Sequence, residues 1–148
     1  MTLTLEVDAR QVIEVLNGMV ARATNPQPAF EDIGTYLVMS TKQRFATKES
    51  PDGSPWASNS WVTRKRKGRD DPLIGESGRL GNEIFYQATP DGIEWGSPME
   101  YAAMQQFGGT RSAFPHLWGN IPARPILGLS DEDEVAILDI VAEFMVGR

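Results

Sequence analysis

Residues 49–81 interrupt the chain's periodicity for longer than an ordinary connection does, and this break constrains the fold more than any other feature of the sequence. Pro, Gly, Ser, Asp and basic residues dominate it, yet it holds Trp56 and Trp61, large aromatics that need something to bury against. The segment predicts a long basic loop over about 49–77 that becomes ordered on assembly. A chain of 148 residues is large enough for one core without metal or disulfide staples, so the break is expected to lie inside a single domain spanning 1–148.

Regular patterns flank the break. Residues 2–7 alternate polar and apolar and predict a short strand. Val12, Ile13, Leu16, Met19 and Val20 then fall at helical spacing after Asp8, a candidate N-cap, and predict a helix over 9–23. Asn25-Pro26-Gln27-Pro28 ends it, and a second helix is expected over 28–47 with Phe30, Ile33, Leu37, Thr41 and Phe45 on one stripe. Two helices joined by so short a turn are expected to pack antiparallel. After the break, runs over 80–88 and 92–96 surround Thr89-Pro90-Asp91-Gly92, the clearest hairpin signal in the chain. A short helix is expected over 99–107, stopped by Gly108-Gly109, and a last edge strand over 124–129 beside Pro122 and Pro125. Ser130 caps a closing helix whose Val135, Leu138, Val141, Ala142 and Met145 are expected to face the core. The expected architecture is α+β: a small, mostly antiparallel mixed sheet of about four strands against two long N-terminal helices and a C-terminal helix.

The chemistry-bearing residues are few. With no cysteine and one histidine, thiol catalysis, disulfides and cysteine-ligated metals are excluded, and no metal motif can be built around His116. Asp131–Glu134 lacks the spacing of a calcium loop, and Gly75, Gly78 and Gly81 form neither a phosphate-binding loop nor a dinucleotide fingerprint. Asp70-Asp71 reads as a solvated charge cluster beside Arg69. No catalytic constellation, cofactor site or metal site is therefore expected. No apolar run approaches the roughly 20 residues that span a bilayer, and a cytoplasmic protein without membrane contact is expected.

Charge is unevenly placed. The segment 42–79 carries a net +4, leaving −10 on the remainder of a chain whose total is −6. Arg64, Lys65, Arg66, Lys67 and Arg69 near Trp61 could bind phosphates and stack a base, or form a solvated loop or a subunit contact. Trp56, Trp61, Phe114, Trp118 and Ile121 stand in segments read as loops, which suggests a partner surface or packing beneath the loops.

One ordered set of residues carries a resemblance. Pro51-Asp52-Gly53 and Trp56, Thr63 with the basic run, Gly78-Arg79-Leu80, Tyr101-Ala102, Gln106-Phe107-Gly108, and the block from Ile121 through Pro122-Ala123-Arg124-Pro125 to Ser130 resemble the phage virion morphogenesis (tail completion) family of contractile-tailed bacteriophages and prophages. The likeness covers roughly residues 1–146. Gln105-Gln106 stands where a His-Gln pair is common in the family, and Ile126 where Phe is common.

The resemblance implies a non-enzymatic protein of the phage neck that completes or terminates the tail and enables head–tail joining. It implies a ring of identical subunits, usually six-fold, with tail tube and other neck or head-completion proteins as partners and DNA passing through the lumen without specific binding. Such a protein would act in the host cytoplasm during assembly and end at the virion neck or tail end. Trp56, Trp61, Arg64, Lys65, Arg66, Lys67, Arg69, Phe114, His116 and Trp118 are the candidate subunit or neck contacts. Gly53, Thr63, Gly78, Leu80, Tyr101, Phe107, Gly108, Pro122, Arg124 and Pro125 are expected to be mainly structural, with Tyr101 and Phe107 packing the short helix and Arg124 anchoring a carboxylate. The alternative is a nucleic-acid-binding head-completion or packaging factor using 64–69.

Overall fold

A computed structural model describes residues 3–5 and 9–148. In chain order the elements are α1 (Arg10–Thr24), α2 (Gln27–Thr47), α3 (Trp61–Lys67), α4 (Arg79–Asn82), β1 (Phe85–Thr89), β2 (Gly92–Gly96), α5 (Ala102–Phe107) and α6 (Asp131–Val146). Most of the strand expected over 2–7, and the cap expected at Asp8, fall outside the described residues. Leu3, Thr4 and Leu5 are exposed and irregular.

Helix α2 organises the rest because its stripes meet different partners. Ala29, Ile33 and Leu37 are buried along it, as are Thr41 and Phe45 of the expected stripe, while Phe30 is half-buried. One side receives the hairpin. Gly34 is required there, since a Cβ would lie 2.3 Å from the Tyr86 ring of β1. The Tyr86 hydroxyl donates to Glu31 at 3.0 Å, and the Trp95 indole of β2 donates to the fully buried Thr41 hydroxyl at 3.3 Å. The other side receives α6.

The hairpin has the expected turn, with Thr89 opposite Gly92 and Phe85 opposite Gly96. It is the whole sheet among the described residues, so the fold is α+β with two antiparallel strands rather than four. The residues expected to begin its first strand instead form α4, entered through Gly78 at φ +63. The segment 124–129 is irregular, bends at Leu127-Gly128 and pairs with no strand; side chains take the place of a neighbouring strand. Gln106 Oε1 accepts from the Ile126 and Leu127 amides at 2.7 and 2.9 Å, and its Nε2 donates to Leu127 O at 3.0 Å. Pro122 and Pro125, which lack N–H groups, leave little for a sheet ladder to use.

Helix α6 docks through a polar hub. Asp133, 1 % exposed, accepts from the Tyr36 hydroxyl at 2.9 Å, the Ser40 hydroxyl at 2.5 Å and Arg44 Nη2 at 2.5 Å. It also closes a capping box with Ser130, accepting from the Ser130 amide at 2.9 Å while its own amide donates to Ser130 Oγ at 3.0 Å. Arg44 Nη1 donates to Ile126 O at 2.9 Å. With Asp133 inward, Ile137, Ile140 and Phe144 follow it, while Val135, Leu138 and Val141 point outward. The expected inner face of this helix is thus largely its outer one. Ala142 is exposed too, and only Met145 of that set is half-buried.

Helix α1 also differs from expectation. It packs against α6 rather than antiparallel on α2, with Arg22 Nε donating to Met145 O at 2.8 Å. Its Val12, Ile13, Leu16 and Val20 remain exposed.

Burial pushes the Asp133 carboxyl upward, but the bonds from the Ser130 amide and the Ser40, Tyr36 and Ser130 hydroxyls outweigh it and hold the group below the ordinary carboxylate value. A group lowered on folding stabilises fully above its unfolded value of about 3.9, and that contribution is lost as pH falls through the lower folded value. Asp133→Asn leaves Arg44 buried without its counter-charge and should cost about 3–5 kcal/mol at pH 7. Urea denaturation should show the gap between the two proteins narrowing as pH drops below about 4.

Candidate assembly surface

The aperiodic segment is built from a turn, a tether and a helix. Pro51-Asp52-Gly53 forms the turn, with Gly53 at φ +84 and Asp52 Oδ1 accepting from the Ser54 amide at 2.9 Å. The returning chain carries Trp56 inward, where it is 6 % exposed. Its ring meets Phe45 edge-on at 5.3 Å, and its indole donates to Pro125 O at 2.8 Å. Trp56 is therefore a core residue of the single chain, clustered with Phe45, Leu80 and Ile126, and not a surface contact.

Arg124 holds the next stretch. Its Nε donates to Ala57 O at 2.7 Å and its Nη2 to Ser58 O at 2.8 Å. The expected carboxylate anchor is thus a clamp on two backbone carbonyls. Burial presses its pKa downward, and the nearby Asp70 charge acts against that shift.

α3 then forms within what the sequence suggested was loop. Ser60 caps it by accepting from the Thr63 amide at 3.3 Å, the two hydroxyls meet at 3.0 Å, and Gly68 at φ +72 ends it. Lys67 turns back and donates to Asp71 O at 3.1 Å and Ile74 O at 2.7 Å. Asp71 pairs with Lys48 at 2.8 Å and Arg69 at 2.5 Å, while Asp70 accepts from the Asn59 amide at 2.9 Å. The Asn59 bond and the Lys48 bond, respectively, hold the Asp70 and Asp71 carboxyls below the ordinary value.

These tethers divide the basic run. Lys67 and Arg69 face internal partners, whereas Arg64, Lys65 and Arg66 are exposed, Arg64 close enough to Asp70 for its charge to help lower that carboxyl. Trp61, 65 % exposed, and Val62 stand among them, with Lys65 Nζ 5.7 Å from the Trp61 ring centre.

The remaining candidates occupy another loop. Reciprocal bonds between Gly109 and Ile121, at 2.9 and 2.7 Å, close residues 109–121, and Asn120 Oδ1 accepts from the Arg111 amide at 2.8 Å. Gly108 is needed at this closure, because a Cβ would sit 2.7 Å from Ala123 N and Ile121 O. Phe114 meets His116 edge-on at 6.2 Å, and Trp118 is fully exposed. Among the described residues, no hydrogen bond, ion pair or ring contact joins this loop to α3.

Of the residues expected to be structural, Leu80 is buried and Thr63, Gly78, Gly108, Arg124 and Pro125 have the positions just described. Tyr101 and Phe107 are exposed, so neither packs α5 inward; Gln106 secures that helix instead. Sequence patterns assigned no structural role to Arg44, Asp133 or Gln106, the last of which stands in one of the motifs that carry the resemblance. Their signals were polar residues on otherwise apolar helix faces. No group of three His, Cys, Asp or Glu suited to a metal occurs among the described residues, and none of their helices is long and apolar enough to cross a membrane.

Comparison with known sequences adds an independent line. Residues 7–145 match the phage virion morphogenesis family. The chain belongs to that family. It is also 30% identical over 144 residues to "Putative capsid assembly protein G" of Escherichia phage Mu, covering 94% of this chain and 91% of that protein. No solved structure matches the fold. The family is one of phage structural and assembly proteins, which accords with the assembly role that the resemblance implied.

The two tryptophans at the start of the segment and in the closed loop should separate on mutation. Trp56→Ala should destabilise the chain by about 3–5 kcal/mol, as removal of a buried aromatic does. Trp118→Ala should stay within about 0.5 kcal/mol of the parent. Chemical denaturation followed by far-UV circular dichroism measures both.

Proposed function

We propose that this protein completes the tail of a contractile-tailed phage or prophage, as a non-catalytic structural subunit that forms a ring around the DNA channel and enables head–tail joining. Its assembly takes place in the host cytoplasm, and its final position is the virion neck or tail end. The observation that carries this reading is the separation of unlike surfaces on one chain. α3 presents cations with Trp61 and Val62, whereas α6 presents only acids with Val135 and Leu138. Unlike surfaces favour head-to-tail contacts, and such contacts close into rings when the rotation permits.

The 109–121 loop, with Phe114, His116 and the fully exposed Trp118, is the surface offered to the tail tube or to other neck and head-completion proteins. An exposed indole on a closed loop is the kind of aromatic anchor that dominates protein contacts. The name of the Mu relative, a capsid assembly protein, supports a place in virion assembly. A net charge of −6 suits passage of DNA through a lumen better than a grip on it.

A second reading is a nucleic-acid-binding head-completion or packaging factor. It rests on Arg64, Lys65 and Arg66 projecting beside Trp61, a set that could neutralise phosphates and stack a base. Its mark would be DNA affinity that falls steeply with salt.

Native mass spectrometry with negative-stain imaging, across concentration and ionic strength, tests the first reading. The expected result is a closed ring, six-fold if the resemblance holds to that detail, with a hole wide enough for duplex DNA. A chain that stays monomeric at every concentration and ionic strength overturns it.

A further inference from the structure

The outer face of α6 is an apolar stripe between acidic borders. Val135, Leu138, Ala142 and Val146 recur at helical spacing and are all exposed, Val135 at 60 % and Leu138 at 68 %. Glu134 lies on one side of the stripe, and Asp139 and Glu143 lie on the other. The helix has six acids and no cation, and only Asp133 among the acids is turned inward. At its N-terminal end the face adjoins an open groove of about 790 Å³ between α2 and α6. Glu49, Asp52, Asp131 and Glu132 line that groove, whose one cation, Arg44, is engaged by Asp133.

α3 has the complementary character. Its seven residues include four cations and no acid, and two exposed apolar side chains, Trp61 and Val62, stand beside the cations. Arg64, Lys65 and Arg66 make no close ion pair among the described residues, although the Arg64 charge acts on Asp70, and the tethers through Lys67, Asp70 and Asp71 fix the helix that presents them.

We infer that the outer face of α6 is the docking site for α3 of a second copy of this chain, Trp61 and Val62 meeting the Val135–Leu138 stripe while Arg64, Lys65 and Arg66 face Glu134, Asp139 and Glu143. This inference rests on the self-assembly proposed above and specifies its contact. The occupant is another copy because the required complement, cations around an apolar anchor on a short fixed helix, is present on this chain itself. The contact is heterologous: each subunit offers α3 to one neighbour and α6 to the other, so it propagates around a ring. Complementary charge also steers the approach and raises the cost of the wrong pairing.

A charge swap tests it. One variant carries Arg64→Glu, Lys65→Glu and Arg66→Glu; another carries Glu134→Lys, Asp139→Lys and Glu143→Lys; a third carries all six. Every altered residue is exposed, and circular dichroism with thermal melts checks folding in each. Sedimentation velocity across concentration should show the first two associating about 100-fold or more weakly than wild type. The six-fold variant should associate within about 10-fold of wild type and reach the same stoichiometry, because each contact is again between opposite charges. An equimolar mixture of the first two should also assemble. Wild-type-like association of the first two variants overturns this contact and leaves the ring reading standing. Failure of a folded six-fold variant to assemble overturns it as well. Loss of binding to a duplex DNA probe in the first variant, with self-association unchanged, overturns it and assigns the cations to phosphate. A wild-type chain that never associates overturns both proposals.

Discussion

The buried pair of Arg44 and Asp133 is the constraint on which most of this fold depends. One guanidinium joins α2 to the carboxylate of α6 and to the Ile126 carbonyl, partners 89 and 82 residues away in sequence. Two desolvated charges are costly unless their hydrogen-bonding capacity is filled, and Tyr36, Ser40 and the Ser130 amide fill that of the carboxylate. The geometry is correspondingly specific. Rotating α6 about its axis would carry Asp133 away from Tyr36, Ser40 and Arg44 and leave that guanidinium buried without its counter-charge, so the pair fixes which face of a helix with apolar residues on both sides turns inward. That choice leaves Val135 and Leu138 outside.

A second constraint follows from the small sheet. Two strands alone are marginal in water, and the segment 124–129 joins no strand. Its backbone groups still need partners where they are buried. Gln106 supplies an acceptor and a donor, Arg44 a donor to Ile126 O, and the Trp56 indole a donor to Pro125 O. Arg124 works in the opposite direction, holding the Ala57 and Ser58 carbonyls. The Pro-rich block and the aperiodic segment thus stabilise one another through side chains, with Phe45, Trp56, Leu80 and Ile126 packed between them.

Local signals in the sequence were legible where a local cause decided the structure. The α1 and α2 patterns, the Pro90-Asp91 turn and the Ser130 cap depend on neighbours a few residues away. The family was legible too, through an ordered set of short motifs spread along the chain. Trp56 shows where this stops: it lies among turn residues, and only Phe45 and Pro125, distant in sequence, make it a core residue. The α6 face was misread for a related reason. Apolar residues lie on both sides of that helix, so periodicity could not choose between them, and the deciding residue was one carboxylate within the acidic run 131–134. α3 was hidden because a helix of seven residues is too short for periodicity to mark, leaving Ser60 and Gly68 as its only local signals.

The same internal bonds that order the aperiodic segment also shape what it can meet. Lys67 and Arg69 are directed at Asp71 and at carbonyls of their own chain, and this leaves Lys65, Arg66 and Trp61, with Arg64 at the edge, exposed on a helix already fixed at both ends. Most of the cost of ordering a basic loop is then met within the subunit, before any partner arrives. A preformed surface binds with less entropy loss than a loop that must fold on contact, so modest apolar area and a few charges suffice for a specific joint. The exposed side of α6 is preformed in the same sense, because the Asp133 hub fixes its rotation. Stability and assembly are therefore linked in this chain: the polar contacts that hold the helices in place also determine which side chains are left for a neighbour.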